Sequence, residues 1–569
     1  MRDSARHFGP ADFKSRIVNV RIATLMLPFL LLARFLAAAG TETSTNPITG
    51  ATITEGETLL GLEFTPAKRE MMIDGLRNQR KKFEIIRQTA LPASAVPAIL
   101  FNPIPIGMKL ETVRRKCRWS RPPKTPAPAD LEQAAFYSLG QLSALIKSRK
   151  ITSVQLTRMY LGRLKKYGPR LECVVTLTED LALEQARRAD REIAAGKYRG
   201  PLHGIPYGVK DLLATKGAKT TWGSAAFKDQ VINENATVVQ RLEEAGAVLV
   251  AKLSMGELAM GDVWFGGKTR NPWNIQQGSD GSSAGPASAT AAGLVAFSIG
   301  SETLGSIVSP CTVCGVTGLR PSYGRISRAG AMTLSWTMDK IGPICRTVED
   351  CALVFNAIQG PDGIDQTLCD APFNYQPKVN LSKLRIGYLK KDFASEKDNA
   401  NSLAALAKLQ ALGANLIPVS LPKFPPQITL VLRAEAAAAF DDLTRQGRDD
   451  LLVQQDADAW PNVFRAARFI PAVEYLRAQR IRFMLIQDMA RTMNDIDVYV
   501  APSEADENLR LTNLTGHPCV VLPDGFSRKG MPTSICFVEK LFGEAQMLAV
   551  AKAYQDATGF QLRHPPLAE

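Results

Sequence analysis

Between Gln276 and Pro310 the chain reads QQGSDGSSAGPASATAAGLVAFSIGSETLGSIVSP, and eight of these 35 positions are serine. A serine hydroxyl becomes a nucleophile only when a base takes its proton and nearby donors hold the charge that its attack creates. Ser283 stands at the centre of GSSAG, a literal G-x-S-x-G. The nucleophile elbow which that motif marks needs a buried strand directly before it, and the preceding KTRNPWNIQQ is polar and contains a proline. Ser306 is the stronger candidate. It follows the apolar VAFSIG through a tight turn at Gly305, where the successive N–H groups of Thr303, Leu304, Gly305 and Ser306 could converge as an oxyanion hole.

The base is harder to find. The chain has four histidines, His7, His203, His517 and His564, and none stands in a triad pattern. Lys210 ends an apolar stretch in GIPYGVKDLL. Burial there would lower a lysine from ~10.4 toward the ~7 to 8 that suits a general base. An ion pair between Lys210 and Asp211 is the competing reading of the same residues.

The elements around these positions alternate. TEDLALEQARRADREIAAG has helical periodicity, PLHGIPYGVKDLL reads as strand and turn, NATVVQRLEEAG as helix and AVLVAKL as a buried strand. GPASATAAGLV then reads as a small-residue helix and VAFSIGS as another strand, an order that predicts an α/β core on a largely buried sheet. Residues 380–510 carry no legible motif, although FDDLTRQGRDDLL and AVEYLRAQRIRFMLIQDMA read as helices placed to cap a cleft.

With 569 residues, 45% apolar and 22% charged, the chain can bury a large core. Its net charge of +14 is concentrated outside the serine-rich region. Fourteen Lys and Arg face four acids between Pro66 and Thr125, where RNQRKKFEIIR reads as a solvated helix with Leu76, Phe83 and Ile86 inward, followed by the proline-rich SRPPKTPAPAD. No nucleic-acid-binding fold surrounds the basic run, so no nucleic-acid partner is expected. Arg2, Arg6, Lys14, Arg16 and Arg21 precede IATLMLPFLLLA and then ARFLAAAG, the order of a signal peptide cleaved before Gly40. Export to the periplasm or medium is the expectation, with an uncleaved membrane anchor or a cytoplasmic chain as the alternatives. The nine cysteines are odd in number and scattered, and the lone C-x-x-C of Cys311 and Cys314 has no second ligand pair, so neither a disulfide framework nor a metal or other cofactor is expected.

Five segments together resemble the amidase signature family, in its usual order: GIPYGVKD, GSDGSSAGPASATAAG, GSETLGSIVSPCTVCGVTGLRPSYGRISRAG, DKIGPICRTVEDCAL and NLTGHPCVVLP. The resemblance covers about residues 133–569. It implies one large catalytic domain with a central mixed β-sheet flanked by helices. The expected organisation is a leader at 1–39, a basic helical appendage and linker at 40–127 and the catalytic domain at 128–569. It also implies a Ser-Ser-Lys triad, in which Lys210 matches the lysine of the VKD motif, Ser282 the bridging serine, and Ser306 the nucleophile 24 residues later. The family's bridging serine follows a cis peptide, here Gly281–Ser282, and Ser283 is expected to position loop and substrate.

Three departures stand out. Leu304 and Asp280 occupy positions that are glycine in the family, so Leu304 must hold an ordinary backbone conformation. Val308 replaces a frequent arginine, which favours a neutral or apolar small-molecule amide as substrate. Two other readings stay open: the ammonia-releasing component of a tRNA-dependent amidotransferase, and a catalytically silent binding protein on the same fold.

Overall fold

The computed structural model describes residues 46–89, 91, 95, 97–395 and 400–566. The expectation for the leader at 1–39 lies outside them. The chain divides into two compact units between Thr89 and Ala90, upstream of the proline-rich stretch, which lies within the second unit.

The first unit is a helical hairpin of α1 (Gly50–Leu60) and α2 (Pro66–Arg87). Thr49 and Thr65 cap the two N-termini, with Pro66 at the first helical position, and Gly61 in the left-handed conformation ends α1. Ile53, Glu57 and Ile73 are its buried residues, and Arg69 binds the Glu57 carboxylate with two nitrogens. The helix read from RNQRKKFEIIR is present, but its inward face differs from the expectation: Phe83 and Ile86 are exposed and Leu76 is half-buried. The stripe against α1 runs through Arg69, Ile73, Leu76 and Arg80, so the partner helix, not apolar content alone, decides which face is covered.

The second unit is built on an eleven-stranded mixed sheet. In chain order the strands are β1 (Val174–Leu177), β2 (Pro206–Lys210), β3 (Val248–Leu253), β4 (Phe297–Glu302), β5 (Thr317–Arg320) and β6 (Lys340–Cys345). They continue with β7 (Arg385–Tyr388), β8 (Asn415–Pro418), β9 (Val498–Pro502), β10 (Cys519–Phe526) and β11 (Pro532–Glu539). Their order across the sheet is β1-β3-β2-β4-β6-β5-β10-β11-β9-β7-β8. Three features of this order place the site. β2 lies parallel to both β3 and β4, with Lys210 beside Leu253 and Val209 beside Ile299, so the C-terminal ends of β2 and β4 open on one edge. β6 runs antiparallel to β4 and brings Lys340 opposite Glu302. Strands β2, β3 and β6 are buried throughout, each a mostly apolar run that also buries one lysine, Lys210, Lys252 or Lys340.

Helices cover the sheet. Ala284–Ala291 is wholly buried and built from small residues, which lets it pack closely under β4 and β6. Among the described residues, no helix is long and apolar enough to cross a membrane.

Candidate active site

Lys210 is the last residue of β2 and has no exposed surface. Its Nζ lies 2.8 Å from Ser282 Oγ, 3.0 Å from Ser301 Oγ and 3.2 Å from Ser283 Oγ. Burial lowers its pKa to about 7, opposed by the negative charges of Asp339 and Glu302. The competing ion pair does not form. The Asp211 carboxylate faces Lys252 at 2.9 Å and accepts from the Thr221 N–H and hydroxyl, all of them buried.

Ser282 stands in the loop ahead of the helix Ala284–Ala291, and the Gly281–Ser282 peptide is cis. Two backbone details explain why this loop needs the residues it has. Asp280 adopts φ +56°, a left-handed conformation that aspartate tolerates better than most residues, and its Oδ1 accepts from the Gly281 N–H at 2.7 Å. A Cβ on Gly281 would lie 1.7 Å from the Gly261 carbonyl oxygen, so this position has room for glycine alone.

Ser306 lies in the turn between β4 and the helix Val308–Cys314. Its carbonyl accepts from the Ser283 N–H at 3.1 Å, which ties the Ser306 turn to the loop that carries Ser282. Ser306 keeps 8% of its surface, against 1% for Ser282 and none for Lys210, so it is the member of the three open to a substrate. Among the described residues, no hydrogen bond joins Ser306 Oγ to Ser282 Oγ, and no backbone acceptor takes the N–H groups of Leu304, Gly305 or Ser306. Gly305 supplies the positive φ of the turn, +88°, and Leu304 does not share it.

Ser283 Oγ lies 3.2 Å from Lys210 Nζ. It is fully buried, accepts from the Ser301 N–H and the Lys210 ammonium, and donates to the Ser301 carbonyl. These bonds tie the hydroxyl to the lysine and to Ser301.

The turn is held by a side chain that the sequence did not single out. Glu302 Oε2 accepts from the Ile307 and Val308 N–H groups at 2.8 and 3.0 Å, while Oε1 accepts from Arg320 and Asn513 at 2.7 and 2.8 Å. Burial alone would raise this carboxyl; Arg320, with help from Lys340 and the Val308 N–H, holds it at about 2. Asp339 braces the other side of the turn, accepting from Thr303 Oγ1 and from the Leu334 and Ser335 N–H groups, and burial raises its pKa against those bonds. Ser301, Glu302 and Asp339 all stand inside or beside the motifs quoted above, so the signal was present, but which residues they bond depends on the order of the strands.

The histidines are elsewhere occupied. His517 is buried, shares a hydrogen bond with Thr515 through Nδ1 and has its pKa lowered to about 3 by burial and Arg320. His203 lies against Glu192, and His564 stacks on Phe136; His7 is outside the described residues. Cys311 and Cys314 are buried free thiols, and among the described residues no group of three or more His, Cys, Asp or Glu is arranged to hold a metal.

A cavity of about 510 Å³ opens beside this turn. Ser301, Thr303 and Asp339 line it together with Leu212, Trp222 and Trp336. Its arginine, Arg328, is already spent on Asp365 at 3.0 Å and on the Trp336 carbonyl at 2.6 Å.

The family model for amidases matches residues 155–517, most of the second unit. The chain belongs to the amidase signature family. It is a hydrolase of amide C–N bonds on that family's fold. It is 34% identical to the A-type component of glutamyl-tRNA(Gln) amidotransferase from Moorella thermoacetica, over 76% of this chain and 99% of that one. It is 35% identical to the corresponding component from Roseiflexus sp., over 74% and 96%. Among solved structures it resembles the peptide amidase of Stenotrophomonas maltophilia, with a TM-score of 0.69 and 29% identity over 77% of this chain and 100% of that one.

Proposed function

We propose that this chain is a serine amidase that hydrolyses a neutral carboxylic amide through an acyl-enzyme on Ser306. The observation that carries the reading is Lys210, a lysine without a contacting carboxylate, fully buried, 2.8 Å from Ser282 Oγ and held at about 7. Half of such groups are neutral near pH 7, and a neutral amine accepts a proton.

In this mechanism Ser306 attacks the amide carbonyl carbon while its proton passes to Ser282 Oγ and the proton of Ser282 passes to Lys210 Nζ. A hydroxyl suits the middle position because it donates and accepts at once. The tetrahedral oxyanion receives N–H bonds from the turn Thr303, Leu304, Gly305 and Ser306. The C–N bond then breaks, and the proton returns along the same path to the leaving amine. Water, deprotonated by the same relay, hydrolyses the ester and restores Ser306. Of the two cations that line the cavity, Arg328 is engaged by Asp365, and Lys340 donates to the Met338 carbonyl while burial lowers its pKa well below the ordinary lysine value; with Val308 in place of an arginine, this supports a neutral substrate.

The test is covalent labelling with a fluorophosphonate, alongside turnover of a panel of aryl, fatty and amino-acid amides. Ser306→Ala is expected to abolish both. Lys210→Ala should be nearly as damaging, because members of a relay act as a unit. Ser282→Ala should leave slow turnover, with water filling the gap. Turnover surviving in Ser306→Ala would overturn the assignment of the nucleophile, and a wild type that fails to label with a fluorophosphonate would revive the binding-protein reading.

A second reading, the ammonia-releasing component of a tRNA-dependent amidotransferase, is favoured by identity of 34–35% across nearly the full length of such proteins. It requires release of ammonia from glutamine in a complex with further chains, so glutaminase activity and co-purification of a partner would select it. The basic-then-apolar N-terminus supports export instead, and membrane contact through that segment only if it stays uncleaved. N-terminal sequencing of protein from a fractionated host is expected to begin near Gly40, and an intact Met1 in the cytoplasmic fraction would overturn export.

A further inference from the structure

One wall of the cavity comes from outside the family match. Pro97, Ile99, Leu100 and Phe101 line the same space as Ser301 and Thr303, although the match begins at residue 155. The whole of the Stenotrophomonas peptide amidase is covered by 77% of this chain, so the surplus length includes material with no counterpart there.

This stretch has no helix or strand of its own, and side chains seat it. The Phe101 ring meets Tyr323 edge-on at 5.0 Å, and the Arg482 guanidinium lies 3.6 Å from its centroid. Arg482 is itself immovable: it is fully buried and donates to the Leu514 and Thr337 carbonyls. Pro103 sits against Gly516, where a Cβ would come within 3.1 Å of it, and the Ile106 N–H donates to Gln487 Oε1 at 3.0 Å. The strap is therefore fixed behind Phe101, and it holds Ile99 and Leu100, 74% and 45% exposed, at the rim of the cavity. Single exposed apolar residues need no explanation, but two in sequence bordering a mostly apolar cavity offer a surface that only a bound molecule covers.

We propose that the strap Pro97–Phe101 is a specificity element of this enzyme, selecting amides with a bulky apolar substituent whose far end packs on Ile99 and Leu100. This rests on the amidase reading above. The substituent belongs to the acyl carbon or to the amide nitrogen, and the test has an arm for each.

The experiment measures kcat/KM for primary alkanamides of rising length and, separately, for N-alkyl acetamides, in the full chain and in Ile99→Ser/Leu100→Ser. Burying one methylene is worth about fourfold. In the arm that enters the cavity, the wild type should climb by about that factor per carbon, and the double variant should lose the climb over the longest members, cutting their advantage tenfold or more. Both side chains are exposed, so the melting midpoint should not move; Phe101→Leu, which keeps a large apolar anchor, should retain the wild-type slope better than Phe101→Ala. Parallel slopes in wild type and double variant, in both arms, would overturn the strap's role alone. A wild type that neither turns over amides nor labels with a fluorophosphonate would overturn the amidase reading and the strap with it.

Discussion

Lys210 is surrounded by hydroxyl groups, while the neighbouring carboxylate Asp211 is engaged with Lys252. An ammonium in that position loses its water and gains no contacting anion, which is why its proton is held weakly. The rate should rise with pH through about 7, because the neutral amine is the active form, and this limb should survive in His517→Ala. A limb that vanished in His517→Ala and persisted in Lys210→Ala would move the base to the histidine. Stability follows the same shift. The folded pKa lies below the unfolded value of ~10.4, so between about 7 and ~10.4 the unfolded chain binds more protons, and stability from this group rises with pH. The difference in stability between wild type and Lys210→Met should therefore move in favour of the wild type across that window, measured by denaturant titration at several pH values. A flat difference would mean that the lysine keeps its proton in the folded state as it does in the unfolded chain, so that its pKa is not lowered by folding. Lys210 and Ser306 could be picked out from their local surroundings, whereas Ser282 entered only through the resemblance to the amidase signature family. The bonds of Ser283 were not legible, because its partners, Ser301 and Lys210, arrive from other strands.

At the scale of the element, the turn from β4 to the helix Val308–Cys314 is closed by its own first residue. Glu302 leaves the strand and reaches forward to the amides of Ile307 and Val308, so Leu304, Gly305 and Ser306 form the inside of a fixed loop. Glutamine at 302 would turn an NH₂ toward donors on one side or the other, facing Ile307 and Val308 or Arg320 and Asn513. Glu302→Gln should lower kcat by roughly 10- to 100-fold through misplaced oxyanion donors, with KM little changed. A KM effect with intact kcat would show that Glu302 serves binding and not the turn. The strands and helices around this turn were legible from periodicity, including the unusual small-residue helix Ala284–Ala291. The clamp was not, because a buried acid reads as a surface residue until its partners from β5 and from Asp506–Thr515 are known. The same limit explains α2, whose exposed Phe83 and Ile86 looked like core by composition.

For the molecule as a whole, the two units differ in what they can sustain. The buried apolar residues of the second unit form continuous clusters on both faces of an eleven-stranded sheet, whereas the first unit buries Ile53 and Ile73 with the Glu57–Arg69 pair. A hairpin with so small a core does not reach independent stability. The second unit has a large core of its own and holds the candidate site, the cavity and the strap, so it is expected to fold and turn over without residues 1–89. Removal of residues 1–89 should leave the melting midpoint and kcat close to those of the full chain, with the strap still in place. Extending the deletion to residue 106 removes Phe101 from Arg482 and Pro103 from Gly516, and leaves a buried guanidinium without its covering ring. The longer truncation should therefore melt lower and should raise KM for bulky apolar amides more than for small ones. Calorimetry and a two-substrate comparison on the two truncations check this, and equal behaviour of both would place the functional boundary of the catalytic unit after the strap.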